Sequence, residues 1–90
     1  MKNDDVLKLI NSIKNIIRQI NSDSDSNIDI FIFKDDIIKF IDICYRLNNY
    51  IKNDFFESII YDTFLKYNDN YSDFDILKNV EKIDLFIKTL

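Results

Sequence analysis

Ninety residues carrying a net charge of −4 suffice for one small helical domain, 1–90, with a modest core. A hydrophobic share of 47% with 14% aromatics excludes a disordered chain, and the absence of histidine, glycine and proline excludes much site chemistry and most β architecture. Hairpins of the Asn-Gly type cannot be written, and Asn must take the left-handed positions that Gly normally fills.

The first helix is expected from about Asp4 to Ile20. Val6, Leu9, Ile10, Ile13, Ile16, Ile17 and Ile20 recur at helical spacing and make one apolar stripe. Asn3 or Asp4 can cap it, and acids in its first turn suit the helix dipole. Lys8, Lys14 and Arg18 fall off the stripe and read as a solvated face. Asn21 to Asn27, NSDSDSN, is the clearest loop, since every residue is a turn or cap former.

The segment Ile28 to Phe33, IDIFIF, alternates like a strand. A lone strand needs a partner, and the rest of the chain offers none. Ser26 and Asp29 fit a capping box, and Ile30, Phe33, Ile37, Phe40, Cys44, Leu47 and Ile51 continue at alternating steps of three and four. A helix, or an extended lead-in to one, is the favoured reading. Asp35 to Asn53 then forms the central helix. Its apolar residues cover more than one face, which predicts burial by its neighbours.

A third helix begins at Asp54, with Glu57 at capping-box spacing. Phe56, Ile59, Ile60, Thr63, Phe64 and Tyr67 form its inner face. Asn68 to Tyr71 is a second polar turn. Ser72 caps the fourth helix, with Asp75 as its box partner and Phe74, Leu77, Val80, Ile83, Phe86, Ile87 and Leu90 as its stripe. The fold class is therefore all-α, a compact bundle of about four helices with the central helix most buried. This pattern resembles that of many small bundles, bacteriocin immunity proteins among them, and no motif assigns the chain to one family.

Several chemistries cannot be built from these residues. Without histidine there is no Ser-His or Cys-His pair and no imidazole metal ligand. Without glycine neither a Walker loop nor a dinucleotide fingerprint exists. One cysteine cannot make a thiolate zinc site or an internal disulfide, and Cys44 lies in the most apolar segment as a buried thiol. Asp23, Asp25 and Asn27 match the first three ligand positions of an EF-hand loop. Ile28 replaces the required Gly, and Lys34 replaces the bidentate Glu, so a solvated loop is the better reading. Asp42 and Arg46 form an i,i+4 surface pair. The expectation is a non-enzyme with no cofactor and no metal.

The N-terminal MKNDDVLKLI has acids where a secretory leader is basic, and no apolar run reaches membrane-spanning length. A cytoplasmic protein is expected. The Ile, Asn, Lys, Asp, Tyr and Phe bias matches AT-rich codons and points to a low-GC genome, a phage or virus included; for a viral protein the compartment is the host cytoplasm.

Charge is unevenly placed. Asp54 to Asp75 holds Asp54, Glu57, Asp62, Asp69, Asp73 and Asp75 against Lys66 alone, a local charge of −5. Tyr61, Tyr67 and Tyr71 lie among these acids. Tyrosines supply contact area at low entropic cost, and acids steer a basic partner, so these nine residues are the candidate protein-binding surface. The same charge opposes nucleic-acid binding. The functional expectation is an interaction module of the inhibitor, immunity or counter-defence kind acting on a basic protein. The alternative is a regulatory or structural subunit that forms a homodimer, or completes a larger assembly, through apolar surface.

Overall fold

With no Gly or Pro to force a stop, a helix in this chain ends only where capping or packing ends it. The computed structural model describes the backbone of residues 4–25 and 30–90 and the side chains of residues 4–22 and 34–90. They form α1 (Asp4–Asp25), α2 (Ile30–Ile51), α3 (Asp54–Asn68) and α4 (Asp73–Ile87), with no strand among the described residues.

Helix α1 runs through Asn21–Asp25, residues expected to be loop. Asn, Ser and Asp each cost only about 0.5 kcal/mol against Ala in a helix, too little to stop one already nucleated by a long apolar stripe. Ile30–Phe33 belongs to α2, so the strand reading fails there. The remainder of that reading and the Ser26/Asp29 capping box lie outside the described residues. Asp23 and Asp25 are on the helical backbone of α1 rather than in a calcium-type loop, and Asn27 lies outside the described residues.

The α2–α3 turn is built from side chains that sequence spacing misplaced by one residue. Asn53, not Asp54, caps α3: its Oδ1 accepts from the Phe56 N–H at 2.9 Å. The Asn53 N–H in turn donates to Asn48 Oδ1 at 3.0 Å. Between them Lys52 takes φ 48°, left-handed, and closes α2 by donating to the Asn48 carbonyl at 2.7 Å. A lysine there costs of order 1 kcal/mol relative to Gly. Asn70, by contrast, does fill a left-handed position as expected, at φ 57°. The Tyr71 N–H reaches back to the Lys66 carbonyl at 2.9 Å, so Asn70 is the turning residue of a Schellman-type stop. Ser72 then caps α4, accepting from the Asp75 N–H at 3.3 Å while its hydroxyl donates to the Asp75 carboxylate at 3.0 Å.

Packing follows from these short turns. α1 packs on α2, α2 on α3, α3 on α4, and α4 returns to α1, with no close diagonal approach among the described residues. The result is an antiparallel ring of four helices. Its 22 × 18 Å cross-section matches two helices by two at packing distances of about 10 Å. α1 and α2 have 22 residues each and α3 and α4 have 15, so the first hairpin is longer by roughly 10 Å. The Lys34 ammonium donates to Asn70 Oδ1 at 3.2 Å, an exposed contact between the first turns of α2 and the α3–α4 turn.

The core takes Val6, Ile13, Ile17 and Ile20 from α1, Phe56 and Ile60 from α3, and Ile76, Val80, Ile83 and Ile87 from α4. α2 adds Ile37, Phe40, Ile41, Cys44 and Leu47, more buried apolar side chains among the described residues than any other helix. It is flanked by α1 and α3 rather than wrapped on every side, so Ile38 and Tyr50 emerge at its surface. The α4 stripe differs from its spacing. Ile76 is inside, while Phe74 is 66% exposed and packs under the Lys78 ammonium at 4.5 Å. Phe64 and Leu90 are likewise exposed rather than internal.

Candidate functional site

The ring divides the nine candidate residues. Helix α3 rises about 1.5 Å per residue, so Asp54 and Asp69, at its two ends, stand on the order of 22 Å apart. Asp54 and Glu57 lie in its first turn, at the α2–α3 end, and Tyr61 lies two turns on, at its midpoint. Asp69, Tyr71, Asp73 and Asp75 lie at the opposite end, in and after the α3–α4 turn. The length of α3 keeps the two acidic groups apart.

Three of the candidates serve the fold. Tyr67 is half-buried and packs against the core. Asp62 faces α4, where its Oδ2 accepts from the Lys66 ammonium and, at 2.8 Å, from the Asn79 amide. Asn79 is 2% exposed, so this bond satisfies a polar group that would otherwise be costly to bury. The Lys66 hydrogen bond first, then the Asn79 amide, hold the Asp62 carboxyl below its ordinary range. Asp75 belongs to the α4 cap, and Asp69, Tyr71 and Asp73 are exposed.

A depressed carboxyl contributes stability that is present above its unfolded value near 3.8 and is lost as pH falls through the folded value. The Asp62 side chain is 52% exposed, so solvent screening leaves this contribution below about 1 kcal/mol. Asp62→Asn should therefore lose slightly less stability than the parent between pH 7 and pH 3. Urea midpoints measure this. An equal loss in both proteins would show that the Asp62 pairing carries no such linkage.

The turn-end group gains what spacing alone did not show. Tyr45 of α2 meets Asp54, Glu57, Ser58 and Tyr61 of α3, and these five residues line an open cleft between the helices. The pairing has a simple origin. Tyr45 lies two turns before the α2–α3 reversal at Lys52, and Glu57 and Tyr61 lie about as far after it. Glu57 and Tyr61 sit on the flank of α3 that turns toward α2, beside the buried Phe56 and Ile60. Tyr45 sits on the matching flank of α2. Tyr45 is not among the nine residues that the sequence offered for this surface. Folding the two helices back on each other through that turn was the signal that could have found it.

Tyr61 is 55% exposed and Tyr45 is half-buried, so the cleft has an aromatic lining under an acidic rim. Burial first, then the Glu57 carboxylate and Tyr61, push the Tyr45 hydroxyl above its ordinary value, so it stays protonated and able to donate. Nothing here resembles a nucleophile site: Cys44 is fully buried and its thiol is pushed far up by desolvation.

Among the described residues no cluster of three His, Cys, Asp or Glu side chains is placed to hold a metal ion. No helix among them is long and apolar enough to cross a membrane. No protein-family model, curated protein or solved structure matches the chain.

Proposed function

We propose that the protein is a non-catalytic interaction module that docks a basic protein on the α2–α3 face, through Tyr45, Asp54, Glu57 and Tyr61. One observation carries this reading: the turn-end acids of the acidic segment converge with two tyrosines on a concave surface, while the Asp62 carboxylate is engaged in the fold. Inhibitors, immunity factors and counter-defence proteins work this way, by covering a basic functional surface of another protein. Exposed aromatic anchors supply binding energy, and the acids at the rim raise the encounter rate.

The test uses the partner captured from the native host. Reversing Asp54 and Glu57 to Lys should slow association and flatten its dependence on salt. Tyr61→Ala should leave association nearly unchanged and speed dissociation, at a cost of about 2 kcal/mol. Surface kinetics at two ionic strengths separate these effects. Unchanged rates in both variants would remove the α2–α3 face from the interaction.

A second reading has its own observation. Phe55, Phe74 and Leu85 are 63%, 66% and 58% exposed, an apolar burden suited to a subunit that pairs with a copy of itself or completes a larger assembly. Association through these residues would be nearly insensitive to salt, in contrast to the acidic face.

A further inference from the structure

Four carboxylates are tied to a cation on their own helix, and the two at the cleft are not. Asp35, Asp42, Asp62 and Asp84 each pair with a Lys or Arg four residues on, at Lys39, Arg46, Lys66 and Lys88. The corresponding positions after Asp54 and Glu57 are Ser58 and Tyr61, and both line the cleft. Lys52 in the adjoining turn makes no ion pair with either acid among the described residues. Two acids and two tyrosines thus line one concavity, and neither acid makes an ion pair among the described residues.

An aromatic lining and an acidic rim are complementary to one kind of side chain. A cation within about 6 Å of a tyrosine ring is attracted by the ring face, and it loses water at least cost where carboxylates replace that water. A lysine ammonium meets this need as a point charge. A planar guanidinium can stack on a ring and donate a two-pronged hydrogen bond to a carboxylate at once.

We propose that the α2–α3 cleft seats an arginine side chain from a basic segment of the partner protein, with the guanidinium against Tyr45 and Tyr61 and its N–H groups on Asp54 and Glu57. This rests on the docking face argued above and names what that face grips. Ser58 completes the lining as a small residue that leaves room for the side chain. The Tyr45 hydroxyl, held in its protonated form, offers its oxygen as an acceptor for a guanidinium N–H without adding a third negative charge.

The experiment is a titration of the whole chain with hexa-arginine and, separately, hexa-lysine peptide, followed by the ring resonances of Tyr45 and Tyr61. Hexa-arginine should shift both rings and bind at least about tenfold more tightly than hexa-lysine. The Asp54→Asn, Glu57→Gln double variant should weaken hexa-arginine at least about tenfold. The control pair Asp69→Asn, Asp73→Asn, which removes as much charge from the far end, should change it by no more than about twofold. Equal affinity for the two peptides would overturn the arginine seat. So would ring shifts that survive the double variant, or peptide contacts confined to the α3–α4 turn. If the captured partner still depends on Asp54, Glu57 and Tyr61 in such a case, only the arginine seat fails. If the partner ignores those residues, the docking face itself fails.

Discussion

Replacing Phe56 by Ala is expected to lower the unfolding free energy by about 3–5 kcal/mol, the range for emptying a fully packed aromatic site. Phe56 is completely buried in α3, and its ring stacks on Phe86 of α4 at 4.8 Å, with 18° between the planes. Its loss leaves a cavity at the α3–α4 seam and removes an aromatic contact worth about 0.5–1.5 kcal/mol beyond its area. For a domain of this size, total stability is about 5–15 kcal/mol, so the variant should melt at least roughly 15 °C below the parent. The neighbouring residue is the control. Phe55 is 63% exposed and reaches the same Phe86 ring only at 6.1 Å and a 50° tilt. Phe55→Ala should cost less than about 1 kcal/mol. Calorimetry on the pair decides the matter: equal losses would mean that the α3–α4 seam is not packed as described.

Cys44 provides the second large effect. Its side chain is fully buried in α2, and desolvation disfavours the thiolate that any labelling reagent must find. Modification must therefore wait for the bundle to open. With an unfolding free energy of at least about 5 kcal/mol, labelling by an aromatic disulfide at neutral pH should be slower than in concentrated urea by on the order of a thousandfold or more. Phe56→Ala should speed native-state labelling by roughly 150-fold to 5,000-fold, because both measurements report the same opening equilibrium. A thiol that labels within seconds in the native parent protein would contradict the packing of α2 against α1 and α3.

These two experiments probe the packing of the bundle; the partner and peptide titrations probe its surface. The separation is physical. Core side chains are held by area removed from water, whereas the rim acids of the cleft sit in high dielectric and contribute little to folding. Charge changes at Asp54 and Glu57 can therefore alter recognition without loss of the fold.

Helix identity was legible in the chain because it depends on local periodicity and on missing breakers. The stripe from Val6 to Ile20, the Ser72 cap and the buried Cys44 needed nothing beyond their neighbours in sequence. Three features required the assembled bundle. The continuation of α1 through Asn21–Asp25 turns on small propensity costs that a nucleated helix can overcome. The exchange of Phe74 for Ile76 on the inner face of α4 rests on burial: Ile76, Val80, Ile83 and Ile87 also recur at helical steps, and only the packed bundle chooses that register over Phe74. The division of the acidic segment follows from the rigid length of α3, which carries Asp54 and Asp69 to opposite ends. Composition by itself determined an all-helical chain with an acidic, tyrosine-bearing third quarter. Only tertiary structure decided that Asp62 answers Asn79 while Glu57 and Tyr61 meet Tyr45, because those pairings arise from the antiparallel return of one helix on another, and sequence distance does not measure that.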